Sequence, residues 1–573
     1  MNRKSFTNVF FIVVGLFVFP VGLSTSLPEV NAQTLVIQGG TLIDGTGRSS
    51  IENSIIIIEG DRFKAVGRSG QVAIPAGSQI IDVKGKTVLP GFVDGHCHWE
   101  DFYGELYLHL GITTCATIPI YQDGPWGLAQ RDGTNLGKIR GPRIWVSGQA
   151  LGTREGITET EGVRSARGNI NISSPEEARV VVRQKKQDGY DIIKINEFLP
   201  IDWVKVITDE AHRLGLPVTG HSWDAIGSSR AGVNGIEHIW SVGYSSILDV
   251  AKRRQIGADR LAGKIDAEQV GAYYEPQNYD KVISAMVEHR VAWTPTIAKW
   301  LRPLSPSVQR FRAREENILN NSSASYFPAA LRFVVEGSYE KLLKRYKPDQ
   351  LERAKLAYAN SQEFIRRFVQ AGGILKEGSD SPQGLAGLLM HQALVMDVEA
   401  GVPPMKAIQA ATLNVAKTFK KDKDFGSVEA GKVADLSIVE GNPLQDIWMT
   451  QNVKMVVMNG KIVDIGFRPD WKNPIPSPDP TYSIPREIEI SPRTVTQGSG
   501  PTVLKVTGKG MRPFHKVTLN GKELDTRYVR GELEATIPPQ AIETAGLYTV
   551  IVVSPRSSNG ESFPARLIVR FKE

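Results

Sequence analysis

The chain has 573 residues, of which 41% are hydrophobic and 23% are charged, and its net charge is +7. This length suits roughly two to four domains with large cores. The positive excess is mild and no dense Lys/Arg run occurs, so we expect a globular protein without a nucleic-acid partner.

The N-terminus is typical of an export signal. Arg3 and Lys4 precede an apolar run at residues 9–23, and residues 30–32 (Val-Asn-Ala) resemble a signal-peptidase site. The run is shorter than the about 20 apolar residues of a membrane span, although a retained anchor is the alternative. We predict that residues 1–32 are a cleaved signal peptide. The mature protein is then periplasmic or extracellular, without stable membrane insertion.

Short strands with glycine turns flank a long middle region on both sides. Residues 33–86 contain Leu-Val-Ile-Gln-Gly-Gly and a run of four isoleucines, and residues 425–467 contain Asp-Leu-Ser-Ile-Val and Lys-Met-Val-Val-Met. Both are strand patterns. We predict that these two regions pair into one small composite β-sandwich.

The middle region, residues 87–424, alternates strand-like runs with amphipathic helices, which is the pattern of βα units. The candidate strands are residues 87–93, 113–118, 143–146, 192–195, 217–219, 235–237, 292–295 and 374–377. Eight such units predict an α/β fold, a (β/α)8 TIM barrel. A helical insertion is predicted at residues 308–319, 330–347 and 350–368.

The C-terminal part has a different texture. Residues 468–485 contain six prolines, which disfavour helices and central strands and predict a linker. Residues 486–573 alternate short strands, which predicts an independent all-β sandwich. The two cysteines, Cys97 and Cys115, are free to pair in an exported protein, but we favour two buried thiols.

The strongest local signal is Asp-Gly-His-Cys-His at residues 94–98. In a strand, residues i and i+2 point to the same side, so His96 and His98 project together from the end of the first predicted barrel strand. Neutral imidazole is a common ligand of zinc and similar ions. A histidine pair of this kind is by itself only a modest indication of a metal site.

Four further residues fall within or just after later predicted strands: Lys194, His221, His238 and Asp380. Active sites of such barrels lie at the C-terminal ends of the strands. Lys194 lies in an isoleucine-rich strand, where it either extends its charge outward or carries a carbamate formed with CO2, which can bridge two metal ions. Each histidine alone could be structural, and Asp380 alone could cap a turn.

Taken in order, these residues resemble the amidohydrolase superfamily. The similarity rests on Leu-Pro-Gly-Phe-Val-Asp-Gly-His-Cys-His at residues 89–98, Lys194, His221, Ile-Glu-His238, Gly-Ser-Asp380 and Gly-Ser-Val-Glu-Ala-Gly-Lys-Val-Ala-Asp-Leu at residues 426–436. It covers residues 34–465 and is greatest to the imidazolonepropionase-related and prolidase-like branch. It implies that His96 and His98 hold one metal, a carboxylated Lys194 bridges, His221 and His238 hold the second metal, and Asp380 contacts the metal-bound hydroxide.

The chain departs from this family after the third predicted strand, where many relatives have Gly-Gly-His and residues 147–156 contain no histidine. Arg154 in this segment is a candidate for binding a substrate carboxylate, and Tyr121 is a candidate for the pocket wall. A plain surface role is the alternative for both. With Ile-Ser-Pro at residues 490–492, Val-Thr-Gly-Lys-Gly-Met at residues 506–511 and Val-Thr-Leu-Asn-Gly-Lys at residues 517–522, the C-terminal sandwich resembles an immunoglobulin-like domain of the IPT/TIG type. The resemblance implies a passive spacer, with adhesion, dimerisation or carbohydrate binding as alternatives.

The resemblance and the charges predict a hydrolase of amide-type C–N bonds, acting on a dipeptide, an N-acyl amino acid or a cyclic amide. Two divalent ions, zinc or alternatively manganese or cobalt, give a bridging hydroxide, and Asp380 carries the proton. A mononuclear deaminase and a lactone or ester hydrolase are alternatives on the same barrel. A binding or adhesion protein with an inactive barrel is a further one. The oligomeric state is not predicted.

Overall fold

The computed structural model describes residues 34–118, 124–153, 169–196, 199–261, 263–381, 384–476, 486–509, 511, 513, 515–553 and 565–572. The predicted signal peptide, Tyr121 and Arg154 therefore lie outside the described residues. Within the described ranges, no helix combines the length and apolar character needed to cross a membrane.

Two sheets, which we call the flanking sandwich, combine strands from both flanks of the chain. One sheet contains, in spatial order, Arg62–Arg68, Ser54–Glu59, Leu35–Gln38 and Gln79–Asp82. The other contains Lys461–Val463, Val453–Met458, Leu436–Glu440, Lys86–Pro90 and Thr41–Leu42. Leu436 pairs with Pro90 and Glu440 with Lys86 in antiparallel register. The inner faces share a core that includes Ile37, Ile56 and Ile438.

The predicted strand at residues 87–93 is divided between two sheets. Lys86–Pro90 belongs to the flanking sandwich, and Phe92–Cys97 begins the parallel strands. The strand Lys86–Pro90 ends at a proline, which has no N–H for a further ladder hydrogen bond. At Gly91, a Cβ would lie 2.2 Å from the Thr113 hydroxyl oxygen. The apolar pattern does not reveal this change of sheet because residues 87–97 are buried throughout.

The described part of the middle region contains ten parallel strands in two sheets. One sheet consists of Phe92–Cys97, Ile112–Thr117 and Arg143–Val146. The other consists, in spatial order, of Asn169–Asn171, Ala150–Gly152, Ile193–Ile195, Val218–Gly220, Gly235–Glu237, Ala292–Thr294 and Ile374–Leu375. Each of the eight predicted strands corresponds to one of these. Ala150–Gly152 and Asn169–Asn171 are additional to the prediction.

Backbone hydrogen bonds connect the two parallel sheets at both ends. The N–H of Gly95 donates to the carbonyl of Glu377 at 2.8 Å, and the N–H of Asp380 donates to the carbonyl of His96 at 2.7 Å. At the other end, the N–H of Asp191 donates to the carbonyl of Val146 at 2.8 Å. The segments that carry His96 and Asp380 are therefore fixed against each other by the backbone itself.

Helices follow most of these strands. They are Gly104–His109, Gly124–Asn135, Pro175–Gln187, Ile201–Arg213, Ala225–Ala231, Ile239–Tyr244, Val250–Leu261, Tyr279–Glu288, Ile297–Leu301, Leu388–Glu399, Pro404–Ala410 and Leu413–Thr418. Pro175–Gln187 shows the local cause of such a start, since the Ser174 side chain accepts from the N–H of Glu177 at 3.1 Å and proline occupies the first position.

The predicted insertion is helical, with one irregularity. Its helices are Val308–Leu319, Ala329–Glu340 and Pro348–Gln370. The predicted continuous helix at residues 330–347 instead closes with a π-helical turn, Lys341–Arg345. Lys347 is extended, with φ −68° and ψ 158°, because the ring of the following proline disfavours helical backbone at the preceding residue.

The C-terminal part forms two further sheets with a core of their own. One consists of Arg486–Ser491, Thr502–Lys509, Glu532–Ile537 and Asp525–Val529, and the other of Thr494–Thr496, Ala565–Arg570, Gly546–Val553, Lys516–Leu519 and Lys522–Glu523. The first part of the predicted linker is hydrogen-bonded to the middle region. The carbonyl of Ile475 accepts from Gln130 Nε2 at 2.7 Å and from Trp126 Nε1 at 3.1 Å.

Candidate metal centre

Asp380 lies at the centre of a buried cluster of imidazoles. Its Oδ1 atom is 3.0 Å from His98 Nε2 and 3.5 Å from His96 Nε2, and its Oδ2 atom is 3.2 Å from His238 Nδ1. The ligand atoms of His96, His238 and Asp380 all lie within 4.8 Å of one another. His96 and His98 come from the first parallel strand and its end, as the i, i+2 spacing predicts.

His221 and His238 form the second half of the cluster. His221 follows the strand Val218–Gly220, and His238 follows Gly235–Glu237. Their Nε2 atoms lie 3.0 Å apart. Both rings also contact Trp240, which stacks on His238 with a centroid distance of 5.1 Å and meets His221 edge-on at 4.9 Å.

Hydrogen bonds on the far side of three rings determine where their protons lie. His96 Nδ1 is 2.9 Å from Glu237 Oε2, and His221 Nδ1 is 3.0 Å from the Asn196 side-chain oxygen. His238 Nδ1 is 2.9 Å from the Thr296 hydroxyl, which itself donates to the carbonyl of Pro295. These partners accept, so each Nδ1 carries the proton and each Nε2 presents a lone pair to the cluster.

Lys194 lies among these rings, in the middle of the strand Ile193–Ile195, and is 1% exposed. Burial is the main cause that lowers the pKa of His96, His98 and His238, and the positive charge of Lys194 lowers each further. The pKa of His96 falls to about 3. The three imidazoles are therefore neutral at ordinary pH, which is the state that coordinates metal.

Glu237 is a site residue that sequence reasoning missed. It is fully buried, contacts His96, accepts from the Thr219 hydroxyl, and pairs with Lys376 Nζ at 3.1 Å. Burial alone would raise its pKa, but the ammonium of Lys376 and the hydrogen bond from His96 hold that pKa well below the usual value. A charged residue inside a short buried strand was the available signal.

Asp94 joins the two segments that supply the first half of the cluster. Its Oδ1 atom accepts from the N–H of His96 at 3.2 Å and from the N–H of Ser379 at 2.9 Å, and its Oδ2 atom accepts from the Tyr107 hydroxyl. Burial raises the pKa of Asp94 to about 6, although these hydrogen bonds lower it in part. Asp94 thus positions His96 relative to the loop that ends at Asp380.

Lys299 is the second missed residue. It lies in the helix Ile297–Leu301, and its Nζ atom is 2.9 Å from Asp380 Oδ2. Burial alone would raise the pKa of Asp380, but Lys299, His238 and the hydrogen bond from His98 hold it well below its usual value. No periodicity marks a lysine in a five-residue helix as a site residue, because its contact depends on tertiary placement.

The donor set fits divalent metal ions. Tetrahedral coordination with metal–nitrogen bonds of about 2.0–2.1 Å places ligand atoms roughly 3.3 Å apart, and the distances here are 3.0–3.5 Å. His96 Nε2 is buried and makes no hydrogen bond among the described residues. The two Nε2 lone pairs of His221 and His238 face each other, an arrangement that repels unless a cation lies between them.

Cys97 and Cys115 are buried free thiols in the described structure.

Comparisons with known proteins relate this chain to a family of hydrolases. A model described as the amidohydrolase family matches residues 358–463. An adenine deaminase from Rubrobacter xylanophilus is 36% identical over 442 residues, covering 76% of this chain and 58% of that protein. These similarities support the amidohydrolase superfamily for this chain.

Solved structures show that this chain shares its fold with proteins of known structure. A crystal structure of a Xaa-Pro dipeptidase with bound methionine has a TM-score of 0.53 and 24% identity, covering 75% of this chain and all of that one. Molinate hydrolase has a TM-score of 0.53 and 20% identity, covering 76% and 95%. The chain spans less than two thirds of the length of the curated adenine deaminases that it matches.

Proposed function

We propose that the protein is a metal-dependent amidohydrolase that hydrolyses an amide-type C–N bond with two divalent ions. The observation that carries this proposal is the pair of inward-facing Nε2 atoms of His221 and His238, which lie 3.0 Å apart. The contacts of Asp380 with His96 and His98 supply a second, adjacent donor set. The match to the amidohydrolase family supports this chemistry.

The chain's own residues have separable roles in this reaction. Divalent ions, when bound, lower the pKa of a coordinated water and polarise the scissile carbonyl. Asp380, whose Oδ1 faces His96 and His98, would take a proton from the attacking water and pass it to the leaving nitrogen. Glu237, Asn196 and Thr296 hold three imidazoles in the required tautomer.

We further propose that Lys194 carries a carbamate. A cationic ammonium among three neutral metal-ligating rings repels divalent ions, whereas a carbamate is anionic and offers two oxygens. The 1% exposure of Lys194 and its electrostatic effect on His96, His98 and His238 support this assignment.

Deamination of a purine-like base is the second candidate function. It is favoured by the 36% identity to the Rubrobacter adenine deaminase. A mononuclear deaminase has no use for a bridging ligand, so the position of Lys194 favours the binuclear hydrolase. Hydrolysis of a lactone or ester would use the same residues.

Metal analysis joined to a substrate screen tests these alternatives. We expect about two equivalents of zinc, manganese or cobalt per chain and hydrolysis of dipeptides, N-acyl amino acids or cyclic amides. Lys194→Ala is expected to lose one equivalent and most activity. Lys185→Ala, which removes a buried lysine that donates to the carbonyl of Ser147, is the matched control and keeps the metal. Release of ammonia from adenine would favour the deaminase, and folded protein that takes up no metal would rule out both.

The remaining assignments concern the rest of the chain. We propose that the two parallel sheets form one closed (β/α)8 barrel, supported by the hydrogen bonds at both of their ends. We propose that the C-terminal sheets form an immunoglobulin-like accessory domain, supported by their separate core, and that residues 1–32 direct export.

A further inference from the structure

A cavity of about 200 Å³ lies at the end of the parallel strands that is opposite to the candidate metal centre. Residues 189–191 and 215–217 line it, and they precede the neighbouring strands Ile193–Ile195 and Val218–Gly220. His221 instead follows the second of these strands. A molecule in this cavity is therefore at the far end of the strands from the metal-binding side chains.

The lining of the cavity is positively charged. It includes Lys186, Lys420 and Lys421, and Asp191 is the acid among its described residues. Asp191 is already shared, because its carboxylate oxygens lie 3.1 Å from Lys421 Nζ and 3.4 Å from Arg131 Nη1. Lys186 and Lys420 form no ion pair within the part of the chain that the structure describes. The cavity thus keeps an excess of positive charge, which a concave surface concentrates on an anion.

Lys420 occupies a backbone position that usually belongs to glycine. After the helix Leu413–Thr418, the N–H of Lys421 donates to the carbonyl of Ala416 at 2.8 Å, and the N–H of Lys420 donates to that of Lys417 at 3.1 Å. This closure gives Lys420 a φ of 57°, for which glycine or asparagine is preferred. Lys417, in the last turn, already meets the helix dipole. The dipole therefore does not account for a lysine at the strained position.

The rest of the lining is largely apolar and held in place. Tyr190, Leu216, Pro217 and Phe419 contribute to it, and all four are buried. The Phe419 ring meets Trp145 edge-on with a centroid distance of 6.0 Å. The volume is below the about 300–1,000 Å³ of pockets for drug-sized ligands. The cavity therefore suits a small molecule that combines a negative charge with an apolar part.

We propose that this cavity binds a small organic anion, with its carboxylate at Lys186 and Lys420 and its apolar part against Tyr190 and Phe419. A carboxylate that accepts from an ammonium forms a charge-assisted hydrogen bond, which is stronger than a neutral one. This site is separate from the proposed catalytic reaction, and its occupancy needs no turnover.

Calorimetric titration of the metal-loaded protein with 4-bromobenzoate tests the site. The uncharged counterpart is 4-bromobenzamide, and acetate carries the charge without the ring. The native protein is compared with Lys420→Gly, Lys420→Arg and Lys423→Gly. Lys420→Gly removes the ammonium and suits the left-handed backbone, so we expect it to fold. Lys423 is the matched control because it is an exposed lysine of the same segment that does not line the cavity.

The native protein should bind 4-bromobenzoate about 10- to 100-fold more tightly than 4-bromobenzamide, the range of a hydrogen bond to a charged group. Acetate should bind more weakly than 4-bromobenzoate. Lys420→Gly should lose most of the preference for the acid, Lys420→Arg should keep part of it, and Lys423→Gly should keep all of it. Equal binding of the acid and the amide to the native protein, or of the acid to the native protein and Lys420→Gly, overturns the inference.

Anomalous scattering from bromine in crystals soaked with 4-bromobenzoate locates the anion directly. A bromine peak beside Phe419 supports the site. A peak confined to the metal centre shows that the metal ions bind the carboxylate, and it overturns the inference. Metal content and hydrolysis, measured on the same variants, test the proposed function separately and should be unchanged in Lys420→Gly.

Discussion

Replacing Glu237 with glutamine removes one charge from beneath the metal centre at almost constant volume. Glu237 accepts from three donors: His96 Nδ1 at 2.9 Å, the Thr219 hydroxyl, and Lys376 Nζ at 3.1 Å. An amide offers one oxygen and an NH2 group that only donates. In Glu237→Gln at least one of the three donors therefore faces another donor, with no water to compensate, because Glu237 and Lys376 are fully buried.

Two magnitudes follow from this geometry. Removing one partner of a buried ion pair costs about 3–5 kcal/mol, because the other charge stays buried without a counter-charge. Loss of a carboxylate that orients a metal-ligating histidine lowers metal affinity by about 10–100-fold. We expect both effects in Glu237→Gln, with the affinity loss confined to the ion that His96 holds.

Urea denaturation in the presence of EDTA measures the first effect, and zinc competition with a chromophoric chelator measures the second. The double variant Glu237→Gln/Lys376→Met separates them. It removes the buried ammonium and should regain most of the stability, but His96 still lacks its acceptor and zinc affinity should stay low. Native-like zinc affinity in Glu237→Gln would refute the argument that this carboxylate fixes the His96 tautomer.

Two further predictions concern the eighth predicted strand and the residues packed on it. Burial raises the pKa of Asp397, which lies beside Glu377, to about 8. The folded state therefore favours the protonated form, and the stability of the metal-free protein should fall as pH rises from about 4 to 8. Urea midpoints measured across that range should show a flatter slope for Asp397→Asn. At Gly378 a Cβ would lie 2.4 Å from the backbone nitrogen of His96, so Gly378→Ala should displace His96 and lower zinc binding, whereas Gly500→Ala, which meets no atom within 4 Å, should not.

The site residues that can be predicted from the sequence are those defined by short spacing or by position at a strand end. His96 and His98 are two residues apart, and His221 and His238 each directly follow a short strand. Position at a strand end is enough to predict that such side chains meet, because the C-terminal ends of parallel strands share one edge of the sheet. The structure brings both pairs to one cluster with Asp380.

The supporting groups are not predictable in this way. Glu237 ends one strand, Lys376 directly follows another, and the two side chains meet only when the sheet is assembled. Lys299 depends on the left-handed turn at Thr296, and no sequence rule predicts that a threonine adopts it. The change of sheet at Gly91 has the same origin, since the apolar pattern records burial and not which sheet a strand joins.

The backbone at the site bears on whether the middle region is catalytic or only a scaffold. Three residues at the cluster have positive φ without being glycine: His238 at 70°, Thr296 at 51° and Asp380 at 46°. Each costs of order 1–3 kcal/mol and persists only where the surroundings enforce it.

The same cluster buries an Asp, a Glu and two Lys side chains. Well-packed apolar residues in place of such charges are often neutral or stabilising, by about 1–4 kcal/mol. A protein that used the middle region only to carry a binding domain would be more stable without these features. Strain and buried charge concentrated on one set of inward-facing nitrogen and oxygen atoms therefore favour the hydrolase over the inactive scaffold.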